Sequence, residues 1–218
     1  MRRILSLILI ASIALLSTLS LSSCNEACDY FAERNISGRD IKYAKISFER
    51  YGDVYLLLDA TTAPITVKNF LRLAADDFYD GLTIHRVISD FMIQGGDPNG
   101  DGTGGSKTKI YGEFESNGYT KNDILHLRGV ISMARSQNSN NSASSQFFIC
   151  TYDYPSLDGE YAAFGYVIAG MNVVDKISKD TVKFTKNDGS GLVSDVSKRA
   201  VIITIDEVNS SEALAAAK

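Results

Sequence analysis

Histidine is nearly absent from this 218-residue chain, which has only His85 and His126, and its three cysteines, Cys24, Cys28 and Cys150, add few soft metal ligands. No Cys-x-x-Cys spacing occurs and no histidine stands near the Cys24/Cys28 pair, so neither a zinc nor a redox centre is indicated and no metal or cofactor is expected. Cationic excess is missing too, with 22 Lys+Arg against 26 Asp+Glu. An acidic chain argues against nucleic acid or anionic lipid as a partner. A G-x-S-x-G nucleophile elbow is also lacking, which leaves His126 and the later Ser132 a weak basis for a serine hydrolase.

What is present begins with "MRRILSLILIASIALLSTLSLSSC", where Arg2 and Arg3 precede an apolar run and small residues lead into Cys24. That is the layout of a secretory signal, and no basic stop-transfer cluster follows it. Leu21-Ser22-Ser23-Cys24 resembles a bacterial lipobox, at which fatty acid is joined to the cysteine sulfur. The expected organisation is a lipoprotein-type signal over 1–23, a tether over 24–39, one domain over 40–208 and a frayed helical tail over 209–218. The chain would be anchored to a bacterial membrane, outside the cytoplasm, through lipid at Cys24. Two acyl chains suffice for stable anchoring. A flexible tether of this length reaches roughly 20–25 Å on average, which keeps the domain near the bilayer. Cys150, inside the apolar run "QFFIC", reads as a buried small hydrophobe.

Beyond the tether, "IKYAKISFERYG" and "DVYLLLDA" alternate apolar and polar residues around Tyr51-Gly52-Asp53, predicting a hairpin. In "TTAPITVKNFLRLAADDFYDG", Pro64 suits a first helical turn, Val67, Phe70, Leu71, Ala74 and Phe78 share a face, and Gly81 supplies a stop. Short apolar segments follow, "TIHRVI", "FMIQ", "GVISMA", "SQFFICT" and "AAFGYVI", then a helix at "MNVVDKISK" and a final strand over 199–208. This pattern indicates a small β-barrel or sandwich.

The loop "GDPNGDGTGGSKT" imitates three signatures and satisfies none. Gly100-x-Gly102-x-x-Gly105 has no following helical period to hold a pyrophosphate, Ser106 interrupts a P-loop pattern, and Thr108 stands where a calcium loop needs its carboxylate. His85 and Arg86, as neighbours on a strand, should point to opposite faces, Met92 and Gln94 to one, and Phe91 and Ile93 to the other. A glutamine on so apolar a strand suggests a hydrogen-bonding task.

Taken together, "APITVKNF", "YDGLTIHRVISDFMIQGGDP", "GTGG", "IYGEF", "HLRGVISMA", "SSQFFI", "LDGEYAAFG" and "GMNVVDKI" resemble, in order, the cyclophilins, which are peptidyl-prolyl cis-trans isomerases. The resemblance implies a mainly β fold, an eight-stranded antiparallel barrel capped by two helices, working as a monomer on proline-containing polypeptides. It implies catalytic positions at Arg86, Gln94 and His85, and substrate contacts at Phe91, Met92, Ala134, Gln146, Phe148, Leu157 and Tyr161. His85 is expected to support the groove rather than transfer a proton. Ser156 stands where many members have Trp and Tyr161 where many have His, and the Ala134-to-Gln146 loop is longer than common forms. Tyr154 is a ring that could swing over the groove in place of the missing indole. The alternative is a proline-peptide binding module or holdase with little turnover.

Overall fold

The computed structural model describes residues 38–217. Strand β1 (Ile41–Phe48) buries Ala44, Ile46 and Phe48 at every second position and pairs antiparallel with β2 (Gly52–Asp59). The turn lies before the expected position. Gly52 and Asp53 already pair with Phe48 and Ser47, and Arg50 takes the left-handed φ of 67°.

Six further strands complete an antiparallel sheet: β3 (Arg86–Ile88), β4 (Met92–Gly95), β5 (Val130–Met133), β6 (Phe147–Cys150), β7 (Ala163–Ala169) and β8 (Ile202–Val208). Their order is β3-β4-β6-β5-β7-β2-β1-β8. The sheet curls until its two ends meet, through a Thr83–Val201 bridge and the Ile84 amide donating to the Ala200 carbonyl at 2.9 Å. Its concave side holds the core, where Phe70, Tyr79, Phe147 and Phe164 pack with ring centroids 5.3–5.8 Å apart.

Helix α1 (Pro64–Ala75) supplies Phe70 to that core along with Val67, Leu73 and Ala74. Leu71 is only half-buried, and Leu73 takes the inward position instead. The helix stops at Ala75 rather than running to Gly81. Asp77 there takes φ 54°, and the Phe78 amide closes back on the Leu73 carbonyl at 3.0 Å. Aspartate visits the left-handed region more easily than most residues, which lets it end a helix as glycine does. The start of α1 has no side-chain cap of its own. Glu113, fully buried, accepts the Ile65 and Thr66 amides at 3.0 and 2.8 Å, placing a carboxylate at the positive end of the helix from a distant loop.

Helix α2 (Met171–Thr181) covers another opening of the barrel with Val173, Val174 and Ile177. The expected tail is not frayed. It forms a third helix, α3 (Ser210–Ala216), capped by Asn209, whose side-chain oxygen accepts the Glu212 amide at 2.9 Å. Ala213 is fully buried against Leu57, Ile124 and Tyr166, and this packing holds a helix too short to persist alone.

Candidate active site

The hairpin of β3 and β4 places Arg86 opposite Gln94, and β6 adds Phe148 opposite Gln94 on the other side. Alternation along β4 sends Ile93 into the barrel and keeps Met92 and Gln94 on the outer face. Phe91 does not share the face of Ile93, contrary to the alternation argument. It belongs to the turn before β4, where Asp90 takes φ 56°, and it packs outside with Met92 and Phe148.

These residues line a pocket of about 520 Å³ on the outer surface, with Arg86, Phe91, Met92, Gln94, Phe148 and Leu157 among its walls. Ala134 and Tyr161 close it, and Tyr161 meets Phe148 edge-on with centroids 5.9 Å apart. Gln146 lines the cavity next door and links the two, accepting from Gln94 Nε2 at 2.8 Å. His85 alone of the expected residues is not on the groove. It is fully buried, and neither ring nitrogen has a hydrogen-bond partner among the described residues. Burial lowers its pKa, against the opposing pull of Asp97, so the ring is neutral and acts as packing beneath Arg86.

Arg86 is held firmly. Its Nε donates to the Ser190 carbonyl at 2.7 Å and its Nη1 to Gln94 Oε1 at 2.9 Å. No carboxylate among the described residues forms an ion pair with it, so its charge is left for whatever enters the pocket. Desolvation lowers its pKa from the ordinary value, yet a guanidinium stays protonated at any physiological pH.

Several wall residues were not legible as site residues, Ser190 and Leu192 among them. Ser190 and Leu192 arrive through a bridge between Arg86 and Leu192, a pairing across about a hundred positions that leaves no local signature. Tyr154 does lie over the groove, stacked on Phe91 at 4.2 Å and 30°, and Ser156 beside it is exposed. An aromatic wall is therefore restored from a different position.

Behind the pocket, His126 Nε2 lies 3.0 Å from Ser132 Oγ and its Nδ1 lies 3.0 Å from Asp158 Oδ1. This is the connectivity of a hydrolase triad, but Ser132 is fully buried in β5 and lines neither cavity. With no approach for a substrate, the hydrolase reading fails on access. The chain of bonds instead fixes the imidazole flat behind Phe148, at 6.0 Å and 16°. Cys150 packs there as well, its thiol pushed up to about 12 by burial, which leaves it inert.

The comparisons with known proteins agree with one another. The family model described as cyclophilin type peptidyl-prolyl cis-trans isomerase/CLD matches residues 43–205. A peptidyl-prolyl cis-trans isomerase of Helicobacter pylori is 42% identical over 142 residues, 64% of this chain and 82% of the relative. Another, from Synechococcus elongatus, is 48% identical over 114 residues, 52% of this chain and 72% of the relative. Among solved structures, a Cryptosporidium parvum cyclophilin type peptidyl-prolyl cis-trans isomerase, crystallised in the presence of the dipeptide Ala-Pro, superposes with a TM-score of 0.65 at 31% identity. The match covers 77% of this chain and 99% of that one.

Proposed function

Because this chain belongs to the cyclophilin-type peptidyl-prolyl cis-trans isomerase family, we propose that the groove around Arg86 is where it turns X-Pro bonds, and that it does so for exported proteins at a membrane surface. The activity itself is isomerisation of peptidyl-proline bonds, as in its relatives. Such bonds isomerise unaided in tens to hundreds of seconds, slowly enough to limit folding.

The chemistry calls for no nucleophile. Rotation about an amide must overcome roughly 18–20 kcal/mol of lost resonance, and no bond between heavy atoms changes partner. As the amide twists, its nitrogen regains a lone pair that the planar ground state does not offer. A cation that bonds that lone pair stabilises only the transition state, which is the condition for raising kcat. We assign Arg86 this role, and the carrying observation is its double tether to Ser190 and Gln94 with no ion-paired carboxylate among the described residues. Phe91, Met92, Phe148 and Leu157 form the apolar seat for the proline ring. Gln94, Gln146 and the backbone at Ala134 orient the flanking peptide.

The membrane setting rests on the Cys24 lipobox and the leader before it, which lie outside the described residues. Among the described residues no helix is long and apolar enough to cross a membrane. The test of the site is a short Ala-Pro peptide followed by exchange NMR. Wild type should accelerate the cis-trans exchange, and Arg86→Ala should lower kcat/KM by about tenfold or more. A folded Arg86→Ala protein with near-normal turnover would remove Arg86 from its role. Peptide binding without acceleration by wild type would instead mark a binding module.

A further inference from the structure

Two arginines stand at the proline pocket, and their charges are used differently. Arg86 is tethered through neutral groups, Ser190 and Gln94, and keeps its charge for the groove. Arg135, on the stretch that leaves β5, has all three guanidinium nitrogens engaged. Its Nε donates to the Glu160 carbonyl at 2.9 Å, its Nη1 to the Ser136 carbonyl at 3.2 Å, and its Nη2 lies 3.4 Å from Glu160 Oε2. That carboxylate oxygen is itself held, accepting from the Ser116 hydroxyl at 3.0 Å. The Arg135 side chain is only 10% exposed, so little of it is left for a ligand.

Two rings complete the setting. The guanidinium carbon lies 5.3 Å from the centroid of Phe114 and 4.7 Å from that of Tyr161, within the range at which a ring face attracts a cation. Phe114 is buried in the core, whereas Tyr161 is half-buried and forms a wall of the proline pocket. A fixed ring, a cation and a groove ring thus follow one another, and Tyr161 then meets Phe148 edge-on at 5.9 Å. Tyr161 stands on the loop before β7, outside the sheet ladder. A side chain on a loop keeps a site geometry only when its neighbours lock its rotamer.

We infer that Arg135 is a positioning residue for the isomerisation: by clamping Tyr161 to the core it holds the wall of the proline pocket, and so sets how tightly the proline is bound. The proline ring keeps its shape while its amide twists, so this wall meets ground state and transition state alike. The clamp therefore acts on KM rather than on kcat. The inference rests on the proline pocket being the site of turnover.

The test uses the full chain and an Ala-Pro peptide, with KM and kcat read by exchange NMR over a peptide titration. Arg135→Met, which keeps an apolar stem and loses the cation, should raise KM roughly three- to tenfold, the scale of a part-buried cation–π contact, with kcat within about twofold of wild type. Arg135→Lys, which keeps a cation, should recover part of that loss. In a Tyr161→Ala background, where KM is already raised, Arg135→Met should add less than about twofold, because residues acting through one contact are not additive. Gly170→Ala strains the backbone off the groove and measures what lost stability alone does, so its KM should match wild type. Wild-type KM in folded Arg135→Met overturns the inference. So does a full effect of Arg135→Met without Tyr161, since the arginine would then act on the peptide directly. A rise in KM for Gly170→Ala equal to that for Arg135→Met reduces the arginine to a stabilising role and overturns the inference as well. If wild type does not accelerate the exchange, the proposed site falls and this inference with it.

Discussion

At the residue scale, the two histidines show how burial redirects a titratable group. His85 lies beneath Arg86 and His126 behind Phe148, and desolvation is the largest influence on each, lowering both pKa values from 6.5. Asp97 opposes the shift at His85, and the Asp158 hydrogen bond opposes it at His126. An unfolded chain takes up protons on these imidazoles near pH 6.5, whereas the folded chain keeps them neutral to lower pH. Below about pH 6.5 the unfolded state therefore binds more protons, and stability must fall as pH falls, until the folded imidazoles also charge. Thermal unfolding should show a declining Tm between about pH 7.5 and 5.5, a window that lies above most carboxylate titration. NMR titration of the two imidazoles should place both midpoints below 6.5. A midpoint at or above that value removes the argument for that residue.

At the element scale, the junction of β7 and α2 depends on one glycine. Gly170 takes φ 86°, and a Cβ there would fall on the Asp53 carbonyl oxygen at the start of β2. Left-handed backbone costs an ordinary residue about 1–2 kcal/mol, and the close approach adds an overpacking cost of about 1–3 kcal/mol. Gly189 makes a useful contrast, because its φ is 77° but a Cβ would meet nothing within 4 Å. Gly170→Ala should therefore lower Tm by several degrees and Gly189→Ala by clearly less, as calorimetry would read. Equal effects would mean that the contact with β2 relaxes without cost.

At the scale of the whole molecule, the proposed lipid anchor sets where the barrel works. Arg39, at the end of the expected tether, pairs with buried Asp59 at 2.6 Å, so the chain is tied to the barrel at that point. The residues before 38 would link this tie to lipid at Cys24. Cys24→Ser should abolish fatty-acid labelling and move the protein from the membrane to the soluble fraction, while Cys28→Ser should change neither. Unaltered labelling of the Cys24 variant would refute the lipobox reading.

Much of this protein was legible in one dimension. Alternation marked the strands, Pro64 marked the start of α1, and the "FMIQGGDP" and "SSQFFI" segments carried the family. Strands and helices leave such traces because each buries one face at a fixed period. Tertiary structure alone decided the rest. The Glu113 cap on α1, the Ser190 carbonyl that holds Arg86 and the Ser132–His126–Asp158 chain all join residues from separate segments. No local period encodes which of two polar groups will meet after the sheet curls, or whether a serine beside a histidine will face solvent or core. Those outcomes follow from register and burial, which exist only once the barrel has closed.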